Sequence, residues 1–222
     1  MKISIIIPVL NEENNLPKIL CALRNFRDLG HEVIVVDGGS ADNSLSIAHD
    51  GSDAVVVSRP GRAAQMNHGA AVATGDVFLF LHADTALPEN AIRLISSLQG
   101  DSFWGYFNIR LSGKKAIFRL IEWMINRRSS LSSIATGDQS IFVAKKLFNN
   151  INGFPEIELM EDIAISRLLK TETSPVCLPS KVLTSSRRWE NNGITSTVLL
   201  MWKLRLFYFF GVSPEKLSKL YR

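Results

Sequence analysis

Val33-Ile34-Val35-Val36-Asp37-Gly38-Gly39-Ser40 decides the fold. Four consecutive β-branched residues read as a strand buried on both faces, and such strands belong to parallel sheets covered by helices. The run ends on a carboxylate and then on Gly38-Gly39-Ser40-Ala41-Asp42, a turn that opens a helix. Ser40 or Asp42 stands where a cap belongs, and a helix start of this kind offers free N–H groups to an anion. Read alone, the same residues also suit a plain tight turn. The spacing Gly-x-Gly-x-x-Gly is absent, which argues against a nicotinamide or flavin site.

Similar runs lie on either side. Residues 2–8 read as a strand, and 13–26 as a helix with Leu16, Ile19, Leu20 and Leu23 on one stripe. Strands are expected at 32–37, 54–57 and 77–81, and helices at 41–50, near 61–74 and near 88–98. This alternation predicts an α/β fold: right-handed crossovers and a mostly parallel central sheet with helices on both faces. After residue 100 the pattern changes. Residues 103–111 read as a strand, and 114–128 as an amphipathic helix with Ile117, Leu120, Ile121 and Met124 on its apolar side. A loop is expected over 129–138, a return to the sheet over 139–143, and a helix over 160–170. One domain spanning 1–222 is expected, with halves at 1–100 and 101–222.

In open α/β sheets ligands bind outside the carboxyl ends of the strands. Asp37 ends one run, and His82-Ala83-Asp84 ends Val77-Phe78-Leu79-Phe80-Leu81. Both carboxylates are therefore expected to face one crevice, where they suit a cation or a polar ligand. Carboxylate oxygen fits Mg2+ or Mn2+, and imidazole favours Mn2+. Read alone, His82 also suits a partly buried, satisfied histidine. Arg62, after Arg59-Pro60-Gly61, falls in the first turn of a helix, where a cation is unfavourable. It is either solvated or held beside an anion. Glu161-Asp162 opens another helix, as dipole-favoured residues or with a general base among them. Arg187-Arg188-Trp189 fits phosphate binding or ring stacking, and equally surface charge beside a packing tryptophan. Trp123, Met124, Trp189 and Trp202 either line an apolar or sugar-stacking groove or belong to the core.

The chain has 222 residues, 46% hydrophobic and 21% charged, with a formal net charge of +4. That balance favours anionic partners. No basic stripe with interleaved aromatics runs through it, so nucleic acid is not an expected partner. Two cysteines give no disulfide framework, which points to a reducing compartment. The N-terminus lacks the pattern of a signal peptide, and no segment has the length of a spanning helix. Val198 to Phe210 is strongly apolar, and Lys203 and Arg205 leave it no clean polar face. It packs in the core, meets a second subunit, or lies at a membrane interface. The expected location is cytoplasmic, with the inner face of the membrane as an option.

Taken together, these stretches resemble the family 2 glycosyltransferases, which have the GT-A fold. The resemblance rests on Ile5 to Glu13, Val35 to Asp42, Leu81-His82-Ala83-Asp84 in the place of Asp-x-Asp, and Asn152-Gly153-Phe154-Pro155-Glu156 followed by Glu161-Asp162. Within that family the chain is most similar to small stand-alone transferases associated with radical-SAM and selenodomain proteins. The features shared with them are Arg59-Pro60-Gly61-Arg62, Leu81-His82-Ala83-Asp84, Thr136-Gly137-Asp138-Gln139 and Arg187-Arg188-Trp189.

The resemblance implies an inverting, metal-dependent transfer from a nucleoside-diphosphate-sugar, with uridine the commonest base, to a hydroxyl of a small-molecule, glycan or lipid acceptor. It implies that Asp37 meets the nucleotide base, that Pro8 and Val9 line its pocket, and that Glu12, Gly38, Arg62 and Ala83 border the nucleotide. Asp84 would hold the metal, Mn2+ or Mg2+, with His82 beside it, and Asp162 would be the catalytic base. Arg188 and Trp189 fall near the place of Gln-x-x-Arg-Trp in processive members. Ser185 stands where the glutamine would be, which argues against polymer synthesis. Two alternatives stand: a non-catalytic protein that binds a nucleotide-sugar, and a sugar-phosphate nucleotidyltransferase. The second lacks the glycine-rich loop it needs after the first strand.

Overall fold

The computed structural model describes residues 1–221. In chain order the elements are β1 (Ile3–Val9), α1 (Leu16–Asp28), β2 (Glu32–Asp37), α2 (Ser44–Gly51), β3 (Ala54–Val57), α3 (Arg62–Val72), β4 (Val77–Phe80), β5 (Thr85–Ala86) and α4 (Ala91–Ser96). There follow β6 (Trp104–Leu111), α5 (Ala116–Ser132), β7 (Phe142–Ala144), α6 (Lys145–Asn150), α7 (Glu161–Glu172), β8 (Val176–Thr184), α8 (Arg187–Asn191), α9 (Ile194–Phe209) and α10 (Pro214–Tyr221).

All eight strands form one sheet in the order β3-β2-β1-β4-β7-β6-β8-β5. The first four are parallel, and β7 enters antiparallel between β4 and β6. Every residue of β1 is buried, as its unbroken apolar run requires of a central strand. Val9 stands level with Asp37, and Leu81 N donates to Ile6 O at 3.0 Å. The ends of β1, β2 and β4 therefore open at the same edge of the sheet. Helix α3 packs on β1 and β2 at Gly69, where a Cβ would stand 2.4 Å from Ile6 Cγ2. No larger residue fits at that contact.

Several expectations are corrected in detail. The helix expected from 41 starts at Ser44: Ser40 accepts from Asn11 N in the loop after β1, and Asp42 accepts from Glu13 N in that loop with one oxygen and from Ser44 N at the helix start with the other. Strand β8 carries Pro179, which has no N–H to give. The register against β6 slips there, with Phe107 facing Leu178 and Asn108 facing Lys181. Helix α5 extends to Ser132, through the first part of the expected loop. Its inward face is Phe118, Ile121, Glu122 and Ser129, while Ile117, Leu120 and Met124 lie exposed. Glu122 is held inside by bonds from Leu111 N and Arg119. A second, small core of Leu159, Met160, Ile163, Leu204 and Leu217 joins α7, α9 and α10.

Candidate active site

Asp37 closes β2 and builds the turn that follows. One carboxylate oxygen accepts from Gly39 N and Ser40 N at 2.9 Å each, and the other accepts from the Ser40 hydroxyl. The residue is 2% exposed. Asn11 accepts from Ala41 N at 2.8 Å, and Ser40 Oγ accepts from Asn11 N at 2.9 Å, which locks this turn to the loop after β1. Gln65 reaches up from α3 and donates to Val9 O and Val36 O, both at 2.8 Å. Pro8, Val9 and Gly38 are buried in this zone. Glu12 is half-buried, its carboxylate taken by Asn15 Nδ2 at 2.6 Å.

His82 and Asp84 extend beyond β4, with buried Ala83 between them. His82 Nδ1 stands 3.3 Å from Asp138 Oδ1. Its imidazole lies against Gly137, where a Cβ would come within 2.5 Å of the ring. Burial works against a charged His82, but the bond to Asp138 outweighs it and raises its pKa. The surrounding protein works against a charged Asp138 although its side chain is 55% exposed, and the bond and charge of His82 outweigh that and lower its pKa. Asp84 moves up, first through burial and then through the Asp138 carboxylate.

The Glu161-Asp162 pair arrives from α7. Met160, just ahead of it, sits in the left-handed region at φ 72. For a residue with a side chain that conformation costs about 1–2 kcal/mol. It turns the helix start toward His82 and Gly137. Asp162 accepts from Gly137 N at 3.1 Å and Ile163 N at 2.7 Å. Buried Glu161 stands 3.5 Å from Arg62 Nε. Arg62 thus has an anion beside it, supplied by the protein itself. Burial pushes the Glu161 carboxyl up, with Arg62 opposing and Asp162 adding to it.

These groups line the inner end of a cavity of about 610 Å³: Arg62, His82, Gly137, Asp138, Glu161 and Asp162. The outer walls are apolar and come from α5 and α9. Asp37 and Asp84 are not among the lining residues, so the shared cavity expected of them is corrected. Asp37 is spent inside its own turn, and Asp84 lies beside the cluster. Arg188 is also corrected as a free phosphate ligand. Its guanidinium lies 3.7 Å over the Tyr221 ring and donates to Tyr221 O at 2.9 Å. Trp189 lines the cavity. Met124 and Trp202 line it too, while Trp123 stands 63% exposed on the surface.

Sequence reasoning gave no role to Asp138, Arg128 or Arg205. Asp138 lies in the quoted Thr136-Gly137-Asp138-Gln139, and that motif was the available signal. Gln139 anchors it, accepting from Ser129 Oγ at 2.7 Å and Thr136 N at 3.1 Å.

Among the described residues no three His, Cys, Asp or Glu side chains form a metal-holding set. Asp84 nevertheless offers a carboxylate oxygen beside a second carboxylate, Asp138, whose repulsion a cation would relieve. That donor set fits Mg2+ or Mn2+ if a diphosphate supplies the remaining oxygens.

The fold is of the GT-A type. Residues 4–101 match the model of glycosyl transferase family 2. An uncharacterized glycosyltransferase of Mycobacterium bovis is 31% identical over 98 residues, 43% of this chain and 43% of that protein. A dolichol-phosphate mannosyltransferase of Pyrococcus furiosus is 33% identical over 110 residues, 46% of this chain and 31% of that protein. The chain thus spans less than half the length of these curated relatives. Among solved structures, Staphylococcus aureus TarS 1–349 superposes with a TM-score of 0.64 at 20% identity, covering 84% of this chain and 61% of that one. Glucosyl-3-phosphoglycerate synthase from Mycobacterium tuberculosis, solved with Mn2+ and uridine-diphosphate-glucose, superposes with a TM-score of 0.59 at 18% identity. That match covers 82% of this chain and 70% of that one.

Proposed function

We propose that the chain, 1–222, is one GT-A domain that moves a sugar from a nucleoside-diphosphate-sugar to an acceptor oxygen, with inversion at the anomeric carbon. The observation that carries this reading is the cluster of His82, Asp138, Glu161, Asp162 and Arg62 at the inner end of the cavity. It lies beyond the end of β4, in the chain whose first 101 residues include the family match. In this reading the half at 1–100 binds the donor and the half at 101–222 binds the acceptor. In this reading the protein works in the cytoplasm, with the inner face of the membrane as an option.

The donor lies over the turns after β1 and β2, bordered by Pro8, Val9, Glu12, Gly38 and Ala83. Asp37 shapes that surface by holding its turn. Asp84, with His82 beside it, would hold Mg2+ or Mn2+. Such a metal neutralises charge on a leaving diphosphate. Arg62 adds a fixed cation at the same end of the site, and Glu161 holds it there. Asp162 takes the proton of an acceptor oxygen that carries one. Its hydrogen bonds to Gly137 N and Ile163 N fix the carboxylate for that task. The acceptor oxygen forms the new bond to the anomeric carbon. The bond from that carbon to the diphosphate breaks, and its electron pair leaves on the nucleoside diphosphate.

Calorimetric titration with UDP- and GDP-sugars, with and without Mn2+, tests the donor side. Micromolar to millimolar binding that Mn2+ strengthens is expected, and Asp84→Ala removes the Mn2+ increment. A protein that binds no nucleoside-diphosphate-sugar under either condition overturns the reading.

A further inference from the structure

The cavity has a second charged feature that the transfer chemistry does not use. Arg128 on α5 and Arg205 on α9 both line it. Among the described residues neither guanidinium forms an ion pair. Arg128 donates to Ser129 Oγ at 2.9 Å, and its Nε is buried without a partner. Burial pushes Arg128 down to about 9, and the charge of Arg205 adds to the push. Burial also pushes Arg205 down, against the pull of Asp162 and Asp138. Asp162 and Asp138 pull on both guanidiniums, but among the described residues neither carboxylate comes within ion-pair distance, so each arginine lacks a contacting anion.

The rest of the cavity asks for hydrocarbon. Ile125 and Met124 on α5, and Met201, Trp202, Leu206 and Phe209 on α9, form its walls. Trp202 is 58% exposed, Leu206 54% and Phe209 72%, so the walls run on into an open face. Leu199, Trp202, Leu206 and Phe209 recur three and four residues apart, which makes one stripe along α9. Lys114, Lys115, Arg127 and Lys203 are exposed on the same two helices and the residues leading into them. No helix among the described residues is long and apolar enough to cross a membrane. An inorganic or sugar phosphate satisfies the arginines and leaves the apolar walls wet. A fatty alcohol fills the walls and leaves the arginines unpaired. Only a molecule with both parts matches the lining.

We propose that this groove binds the acceptor, a long-chain lipid phosphate, with its phosphate on Arg128 and Arg205 and its chain along α5 and α9 toward the open face. The inference rests on the transferase reading for the word acceptor. The phosphate stands beside Asp162, so one of its oxygens is the attacking atom. It bonds to the anomeric carbon, the carbon–diphosphate bond breaks, and the electron pair leaves on the nucleoside diphosphate. A singly ionised phosphate gives its proton to Asp162. A doubly ionised one, the main form above its second pKa of about 6, has none to give.

Farnesyl phosphate, farnesol and inorganic phosphate, added separately to the full chain, provide the test, with tryptophan fluorescence as readout because Trp189 and Trp202 line the groove. Farnesyl phosphate is expected to bind at least roughly tenfold tighter than either of the others, as a charge-assisted contact implies. Arg205→Gln and Arg128→Gln are each expected to remove that margin while leaving farnesol binding unchanged. Arg205→Lys should keep part of it, and Lys203→Gln, on the outer surface of α9, should leave it intact. Equal binding of farnesol and farnesyl phosphate, or full binding by both glutamine variants, overturns the proposal. Donor titration separates the two readings. A protein that binds a nucleotide-sugar but discriminates against no lipid keeps the transferase reading and loses this one. A protein that binds farnesyl phosphate but no nucleotide-sugar keeps the groove and loses the acceptor role.

Discussion

The two ends of the sheet treat their polar groups in opposite ways. Around β1 and β2 each carboxylate or amide that enters the interior has its partners in place: Asp37 in its turn, Gln65 between two strand carbonyls. Around α5 and α9 two guanidiniums have no ion-pair partner among the described residues, and large apolar side chains face outward. The first region resembles a finished interior, and the second an interior waiting for a component. The contrast teaches where to look for a substrate: satisfied groups hold shape, and unsatisfied ones hold ligands.

The largest change in turnover is expected at Asp162, which opens α7 and lines the same cavity as the second region, and it should leave the first region untouched. Asp162→Asn is expected to lower turnover by about 10²–10⁴-fold with a hydroxyl acceptor, the usual worth of a positioned base. Donor affinity, measured by calorimetry, should not move. With a lipid phosphate the deficit should shrink as pH rises past about 6, since the doubly ionised acceptor needs no base. Full turnover of the variant with a hydroxyl acceptor removes Asp162 from the chemistry.

The first region should respond in stability. Asp37→Ala removes the acceptor for Gly39 N, Ser40 N and the Ser40 hydroxyl. A cost of about 2–4 kcal/mol is expected, since bonds to a charged group are worth about 1.5–3 each and are not additive. Gln65→Leu fits the space but gives up both strand carbonyls, for about 1–3 kcal/mol. Urea unfolding measures both. If either variant unfolds like the parent, the turn is not the tightly held element described above.

The contrast also marks what the sequence could reveal. Strands β1 to β4 were legible because each is a short apolar run; β1, β2 and β4 are buried as such runs predict, and β3 is a partly exposed edge strand. Strand β8 was not, because it alternates, half its residues face out, and Pro179 interrupts the pattern. Periodicity selected Ile117, Leu120 and Met124 as the inward face of α5, yet Glu122 and Ser129 are inside, held by Leu111 N and Gln139. Hydropathy does not see a polar residue whose partner arrives from another element. The candidate site divides the same way. His82-Ala83-Asp84 and Glu161-Asp162 stood out by their place at element ends. Asp138 matters through a contact with His82, 56 residues away in sequence, and Arg128 and Arg205 matter through ion-pair contacts that the described residues do not give them.

The smallest expected effect lies at the far end of the first region. Glu32, at the start of β2, accepts from Ser4 Oγ, from Thr74 N and Oγ1, and from Lys2 Nζ. Burial alone would raise its pKa, but these bonds outweigh burial and hold it at about 2 against an ordinary 4.5. A carboxyl held low in the folded chain adds stability that is complete above about pH 4.5 and drains away as pH falls toward 2. Glu32 is partly solvated, so the gain is modest. Urea midpoints of the parent and Glu32→Gln should therefore differ most at pH 7 and converge between pH 4.5 and 2. A difference that stays constant over that interval would assign the loss to packing between β1 and β2 and not to charge. In that case the polar groups of this region hold shape through geometry alone, and the contrast with the arginine-lined groove becomes sharper still.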